Sequence, residues 1–167
     1  LTLTDILTGL PIVDNMQRTS RRPRRIVAQV DRITVSKAQA MSVKMMLESG
    51  AFDLGFDLIL GGAPWRGPEQ DGYYDALVAW CQTHPLLREH VHFTGPLTGY
   101  TAGILRQASD IVLAPLRMEL PIPGDPPFLC PLPAPIEPYG LVVPEAQAAR
   151  TPALGSAFID INVLYTS

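Results

Sequence analysis

Residues 26–62 are IVAQVDRITVSKAQAMSVKMMLESGAFDLGFDLILGG, and this stretch carries the strongest indication of the fold. Two short apolar runs, Ile26–Val30 and Phe56–Leu60, have the length and composition of buried strands. Between them, Ser36 is placed to cap a helix that extends to Glu48. Apolar strands that alternate with helices are typical of a parallel sheet covered on both faces.

The alternation of strand and helix continues along the chain. The sequence predicts further strands at Val91–Phe93 and Ile111–Ala114, and further helices from Asp71, over Tyr100–Ser109 and over Leu141–Ala149. Four such strands predict an α/β fold with a Rossmann-like, doubly wound parallel sheet. Ligands of these sheets bind at the carboxyl ends of the strands.

The composition of the 167-residue chain limits the classes of function. With 47% hydrophobic and 17% charged residues, the chain can bury a core, and a net charge of -3 argues against nucleic-acid binding. Cys81 and Cys130 are too few for a disulfide scaffold or a multi-cysteine zinc site. We expect Cys81 to be a buried thiol, and Trp65 and Trp80 to be packing residues. The sequence contains no transmembrane stretch and no signal-peptide pattern, which predicts a cytoplasmic protein.

Proline is unevenly distributed, because ten of the 17 prolines lie between residues 115 and 144. Proline lacks a backbone donor and fixes φ, so we expect residues 120–136 to form an exposed insertion rather than a helix or central strand. Five arginines fall within residues 18–25, and residues 1–24 are expected to form an irregular basic linker. The folded domain is then residues 25–152, followed by a divergent tail over residues 153–167.

Two cations follow the first predicted strand. Arg32 leaves that strand and Lys37 lies at the start of the next helix. Helix amides and cations together can hold a diphosphate, the amides as donors and the cations as charge. The alternative is that both residues are surface cations beside a turn.

Two carboxylates bracket a turn before the last predicted helix, in Glu137-Pro-Tyr-Gly-Leu-Val-Val-Pro-Glu145. Gly140 lets the backbone approach a ligand closely, and a carboxylate can accept hydrogen bonds from sugar hydroxyls. The alternative is an acidic first helical turn, which the helix dipole favours.

Five segments follow one another in a defined order within residues 25–152: Gln29-Val-Asp-Arg32 with Lys37, Leu58-Ile-Leu-Gly-Gly62, Val91-His-Phe-Thr-Gly95, Ala108-Ser-Asp-Ile-Val-Leu-Ala-Pro115, and Glu137-Pro-Tyr-Gly-Leu-Val142 with Glu145. In this order they resemble the nucleotide-sugar-binding, carboxyl-terminal half of retaining GT-B glycosyltransferases of the family-4 type. The two glutamates separated by seven residues are the most specific part of the resemblance.

The resemblance implies a role for each matching position. Arg32 and Lys37 would hold the donor diphosphate, and Glu145 would bind the ribose. Glu137 would be the catalytic carboxylate near the donor sugar. Glu119 is the alternative. It occupies the family position when the motif is read from the strand that ends before Pro115, and the Pro-rich insertion separates it from Glu137.

The resemblance also implies that the backbone around Tyr139, Gly140 and Leu141 faces the sugar and phosphate. The implied reaction is retaining hexosyl transfer from a nucleotide-sugar to a sugar acceptor, with no metal and no separate cofactor. Pro68-Glu69 followed by Tyr73-Tyr74 is similar to trehalose synthases, which join a nucleotide-glucose to glucose.

The acceptor-binding domain of this family has no counterpart in the chain, so we expect an apparently fragmentary enzyme that is inactive alone. The alternatives are a non-catalytic remnant that binds a nucleotide or a partner protein, and a trehalose phosphorylase-like enzyme.

Overall fold

The computed structural model describes residues 24–65, 72–114 and 141–155. These residues form one parallel sheet with the strands β1 (Arg25–Val30), β2 (Phe56–Gly61), β3 (Val91–Gly95), β4 (Ile111–Ala114) and β5 (Ala153–Gly155). The order across the sheet is β3-β2-β1-β4-β5, and all four pairings are parallel. The predicted Rossmann-like, doubly wound sheet is therefore confirmed.

Five α-helices cover the two faces of the sheet in the described residues. They are α1 (Gln39–Glu48), α2 (Tyr73–Thr83), α3 (Pro85–His90), α4 (Gly99–Ala108) and α5 (Val142–Ala148). The helices α1, α2 and α3 cover one face, where Val43, Leu77 and Leu87 cluster with Leu58 and Leu60 of β2. Within the described ranges, none of the helices combines the length and apolar character needed to cross a membrane.

The opposite face of the sheet carries α4 and α5. Because successive residues of a strand point to opposite faces, Ile59 of β2 lies on this side together with Ala28 of β1, and both cluster with Leu105 of α4. Val143 of α5 packs with Ala114 at the end of β4. The two helical layers thus bury both faces of the central strands.

The connection from β1 to α1 differs from the sequence prediction. Val35–Lys37 form a 3-10 turn, and Ala38 has a left-handed backbone with φ 52°, so α1 begins at Gln39. The predicted cap at Ser36 is wrong, because the Thr34 hydroxyl accepts the hydrogen bond from the Lys37 amide at 3.4 Å. The helix predicted from Ser36 to Glu48 is therefore a 3-10 turn followed, after Ala38, by α1.

Two short elements of the structure were not predicted from the sequence. The helix α3 begins with Pro85, whose fixed φ suits the first helical position, and buries Leu87. We expected residues 153–167 to diverge from the fold, but Ala153–Gly155 pair with β4 as β5. Most of the predicted basic linker, the Pro-rich insertion and the rest of the predicted tail lie outside the described residues.

A buried ionic cluster lies at the amino-terminal edge of the sheet. Asp57, 2% exposed, accepts hydrogen bonds from Arg24 Nε at 2.7 Å and from His90 Nδ1 at 2.9 Å. The ring of Phe52 stacks on His90 with centroids 5.7 Å apart. Because burying a charge is costly unless it is paired, this cluster fixes how β1, β2 and α3 meet.

Candidate site at the carboxyl edge of the sheet

The strand order identifies where a ligand would bind. From β1 the chain proceeds to β2 and β3 on one side, and then crosses to β4 and β5 on the other. The order therefore reverses between β1 and β4, and a crevice forms at such a point outside the carboxyl ends of the strands. The loop that follows β1 and the start of α5 both lie at this edge.

The loops after β1 and β2 are joined by backbone hydrogen bonds beyond the strands themselves. Ile33 donates to the carbonyl of Ala63 at 2.9 Å, and Trp65 donates to the carbonyl of Ile33 at 3.0 Å. Gly62 has φ +150°, and a Cβ atom there would overlap with the carbonyl oxygen of Asp31. Glycine is thus required at this position for the two loops to lie so close together.

Two buried glutamines hold the backbone of the predicted cations. Gln29 donates from Nε2 to the carbonyl of Lys37 at 2.5 Å, and Gln39 donates from Nε2 to the carbonyl of Arg32 at 2.8 Å. Both glutamines are 1% exposed, and Ser42 donates in turn to Oε1 of Gln29 at 2.7 Å. Their positioning role was not predicted from the sequence, although a polar residue inside an apolar strand, as Gln29 is in β1, is a signal for it.

The two predicted cations, Arg32 and Lys37, both lie in the connection between β1 and α1. Arg32 is exposed, and its Cζ lies over the ring of Trp65 at 4.6 Å from the centroid. Lys37 Nζ is 3.6 Å from Oδ1 of Asp31, and both of these side chains are largely buried. The loop therefore carries one exposed guanidinium and one ammonium–carboxylate pair, and these three side chains have a net positive charge.

The amide groups of α1 do not serve as we expected. The Ala40 amide donates to the hydroxyl of Tyr73 at 3.0 Å, while the amides of Met41 and Ser42 donate to the carbonyl of Ala38 at 2.9 and 3.2 Å. These three donors are used inside the protein, so the expected cradle of helix amides and cations is wrong for them. These three amides are therefore not available to an anion.

The structure does not place Glu145 in contact with the two cations. The Glu145 carboxylate pairs with Arg106 of α4, with Oε2 and Nη2 2.5 Å apart. Its side chain is 47% exposed, compared with 12% for Arg106. Because α1 and α5 cover opposite faces of the sheet, Glu145 lies on the face opposite α1.

Of the remaining predicted site residues, the structure describes Leu141. Leu141 is exposed directly before α5, and its carbonyl accepts the Glu145 amide at 3.0 Å. The two candidate catalytic glutamates and the neighbouring turn residues lie outside the described residues, namely Glu119, Glu137, Tyr139 and Gly140.

Trp65 differs from the packing role that we expected. Its side chain is 50% exposed, whereas Trp80 is partly buried against the core as predicted. The strand β2 ends at Gly61, and Trp65 lies four residues further along the chain. A tryptophan just beyond the carboxyl end of a predicted central strand is the sequence signal that could have identified it as a site residue.

The described part of the chain contains no group of three or more His, Cys, Asp or Glu residues arranged to hold a metal ion. The Cys81 thiol is buried as predicted, and burial raises its pKa to about 12.

Comparison with known proteins shows a likeness of fold. No family model matches the chain, and no curated protein matches its sequence. Among solved structures, the catalytic domain of starch synthase IV from Arabidopsis thaliana, bound to ADP and acarbose, gives a TM-score of 0.56 at 13% identity. The match covers 95% of this chain and 27% of that one.

Two further structures are similar over most of this chain. AviGT4, a glycosyltransferase involved in avilamycin A biosynthesis, gives a TM-score of 0.52 at 23% identity, over 88% of this chain and 38% of that one. A UDP-forming α,α-trehalose-phosphate synthase from Burkholderia xenovorans gives 0.56 at 16% identity, over 93% and 34%. The chain thus shares the fold of part of these transferases and spans 27 to 38% of their lengths.

Proposed function

We propose that this chain is the donor-binding domain of a retaining glycosyltransferase and holds the diphosphate of a nucleotide-sugar at the carboxyl edge of β1. One observation carries the proposal. Arg32 is exposed at the end of the central strand, beside the reversal of strand order, in a sheet similar to those of the three transferases. The starch synthase structure contains ADP, a nucleoside diphosphate.

The two cations suit a diphosphate in different ways. The planar guanidinium of Arg32 can donate two parallel hydrogen bonds to phosphate oxygens, whereas Lys37 acts as a compact charge. Asp31 keeps Lys37 at the loop through their contact of 3.6 Å. A hydrogen bond to a charged group contributes about 1.5–3 kcal/mol. Loss of either cation should therefore weaken diphosphate binding by about ten-fold or more.

The same two cations would assist transfer. When the bond from the anomeric carbon to the diphosphate breaks, negative charge accumulates on the departing phosphate oxygen. Fixed positive groups at that position stabilise the transition state more than the bound donor, and this raises the rate. The buried amides of Gln29 and Gln39 support this role, because they hold the backbone of both cations before any ligand binds.

The acidic residues complete the proposed site. Glu137, or Glu119 in its place, would accept hydrogen bonds from the donor sugar, and the backbone of residues 139–141 would face the sugar and phosphate. Glu145 would accept hydrogen bonds from ribose hydroxyls with the carboxylate lone pairs that its contact with Arg106 leaves. The trehalose-phosphate synthase neighbour supports glucose as the transferred sugar and a glucose-type acceptor. We place the acceptor site on a separate domain and expect no turnover from these 167 residues alone.

A second candidate is a domain that binds a nucleotide or a partner protein and transfers no sugar. The internal use of the Ala40, Met41 and Ser42 amides favours it, because these three amides are not left to bind a nucleotide-sugar. A donor site gains affinity from the sugar, so comparing a nucleoside diphosphate with its glucose conjugate separates the two candidates.

Calorimetric titration of the full chain with ADP, UDP and inorganic diphosphate tests the proposal. We expect Arg32→Ala and Lys37→Ala to weaken the binding of all three ligands by about ten-fold. Arg88→Ala is the matched control, because Arg88 is an exposed arginine in α3, away from the site. Glu145→Gln should weaken the binding of ADP and UDP and leave the affinity for inorganic diphosphate unchanged. Equal losses in the Arg32 and Arg88 variants would indicate general anion attraction and refute the site.

A further inference from the structure

Trp65 is fixed relative to Arg32 by the backbone. The Trp65 amide donates to the carbonyl of Ile33 at 3.0 Å, and Ile33 pairs with Pro64 in a parallel bridge. The side chain of Trp65 takes no part in these bonds, so a substitution at this position leaves the connection between the two loops in place.

The ring of Trp65 restrains the exposed guanidinium. Cζ of Arg32 lies 4.6 Å from the ring centroid, within the range in which a cation is attracted to the face of an aromatic ring. A long exposed side chain otherwise samples many rotamers, and ordering it on binding costs affinity. A guanidinium held against an aromatic ring retains N–H donors for a second partner.

An aromatic ring and a carboxylate restrain an arginine side chain in different ways. A carboxylate would orient Arg32 but would also occupy its N–H donors, which would leave fewer of them for phosphate. The nearby carboxylate, Asp31, pairs instead with Lys37 at 3.6 Å. The tryptophan ring carries no net charge, so Arg32 is restrained while its positive charge still attracts an anion.

We propose that Trp65 is a positioning residue of the diphosphate site, which orients the Arg32 guanidinium before the ligand arrives. This inference rests on the proposed function for its ligand, and on the contact between the two side chains for its geometry. It also explains why Trp65 is exposed, since a ring buried in the core could not hold a cation at the edge of the sheet.

A double-mutant cycle in the full chain tests the inference, with inorganic diphosphate as the calorimetric probe. Trp65→Leu removes the aromatic face and should weaken binding by about two- to five-fold, which corresponds to a cation–π contact at an exposed site. Trp65→Phe keeps an aromatic face and should restore most of the affinity. When Arg32 is already replaced by alanine, Trp65→Leu should change nothing further.

The use of inorganic diphosphate separates two roles of the ring. If Trp65→Leu weakens ADP but not inorganic diphosphate, the ring contacts the nucleotide directly and the positioning role is wrong. An equal loss with and without Arg32 would overturn it as well. Leu54→Ala serves as the control for loss of an exposed apolar side chain at the opposite edge, and thermal unfolding verifies that each variant is folded.

A measurement without ligand distinguishes this inference from the proposed function. The chain has two tryptophans, so Trp80→Phe leaves Trp65 as the single emitter. Arg32→Ala in that background should shift the Trp65 emission if the side chains are in contact. An unchanged spectrum refutes the positioning role. A shifted spectrum combined with diphosphate binding that does not depend on Arg32 refutes the diphosphate site, and with it the positioning role.

Discussion

Replacement of Asp57 by alanine should destabilise the fold strongly without involving the proposed site. The carboxylate is 2% exposed and binds Arg24 Nε at 2.7 Å and His90 Nδ1 at 2.9 Å. Removing one partner of a buried ion pair leaves the other charge buried and costs about 3–5 kcal/mol. Arg24 retains its two hydrogen bonds of 2.7 Å to the carbonyls of Phe52 and Phe56, so we expect the lower end, about 3 kcal/mol.

Urea unfolding followed by circular dichroism measures this loss. In a chain of this size, about 3 kcal/mol corresponds to a melting temperature lower by roughly 6–12 °C. Asp53→Ala is the matched control, because Asp53 is exposed near the same edge and should change stability by no more than about 0.5 kcal/mol. A loss below about 1 kcal/mol for Asp57→Ala, or equal losses for both variants, would refute the argument that the buried cluster holds this edge together.

Three further predictions concern His92, Cys81 and Gly62. Burial lowers the pKa of His92 below its ordinary value of 6.5, so the unfolded chain binds more protons. The contribution of neutral His92 to the free energy of unfolding should be complete above pH 6.5 and fall as the pH drops through that value. In urea titrations between pH 7 and 5, the free energy of unfolding should fall less for His92→Gln than for the unsubstituted chain. The Cys81 thiol, with a pKa of about 12, should resist a thiol reagent in a Cys130→Ser background until urea unfolds the chain. Gly62→Ala should cost about 3 kcal/mol, because its Cβ overlaps a backbone carbonyl, whereas Gly103→Ala on α4 meets open space and should not destabilise. Equal thermal shifts for the two glycine variants would contradict this.

The strands that could be predicted from the sequence are those whose apolar runs are long enough to stand out. Ile26–Val30 and Phe56–Leu60 show their burial in composition alone, and the structure places both at the centre of the sheet. By contrast, Ala153–Gly155 is too short to show any period and becomes a strand only because β4 offers it an edge. The interruption of the predicted helix at Ala38 depends on contacts of the surrounding loop that no local pattern contains.

The candidate site was partly predictable for the same reason. Arg32 and Lys37 could be placed between β1 and α1 from the sequence, because their positions follow from the strand before them and the helix after them. The pairing of Glu145 with Arg106 joins helices that are far apart in sequence, and the contact of Trp65 with Arg32 depends on the register between two loops. Such contacts are decided by tertiary structure, which a single sequence does not display.

The most direct test of the proposed donor site is to locate where a nucleoside diphosphate binds. In a ¹H–¹⁵N correlation spectrum of the full chain titrated with ADP or UDP, we expect the largest shifts in the amides of residues 31–38 and in the indole N–H of Trp65. Amides around Asp57, at the opposite edge of the sheet, should remain unchanged. Shifts concentrated near Asp57, with the loop after β1 unaffected, would contradict a donor site at the carboxyl edge.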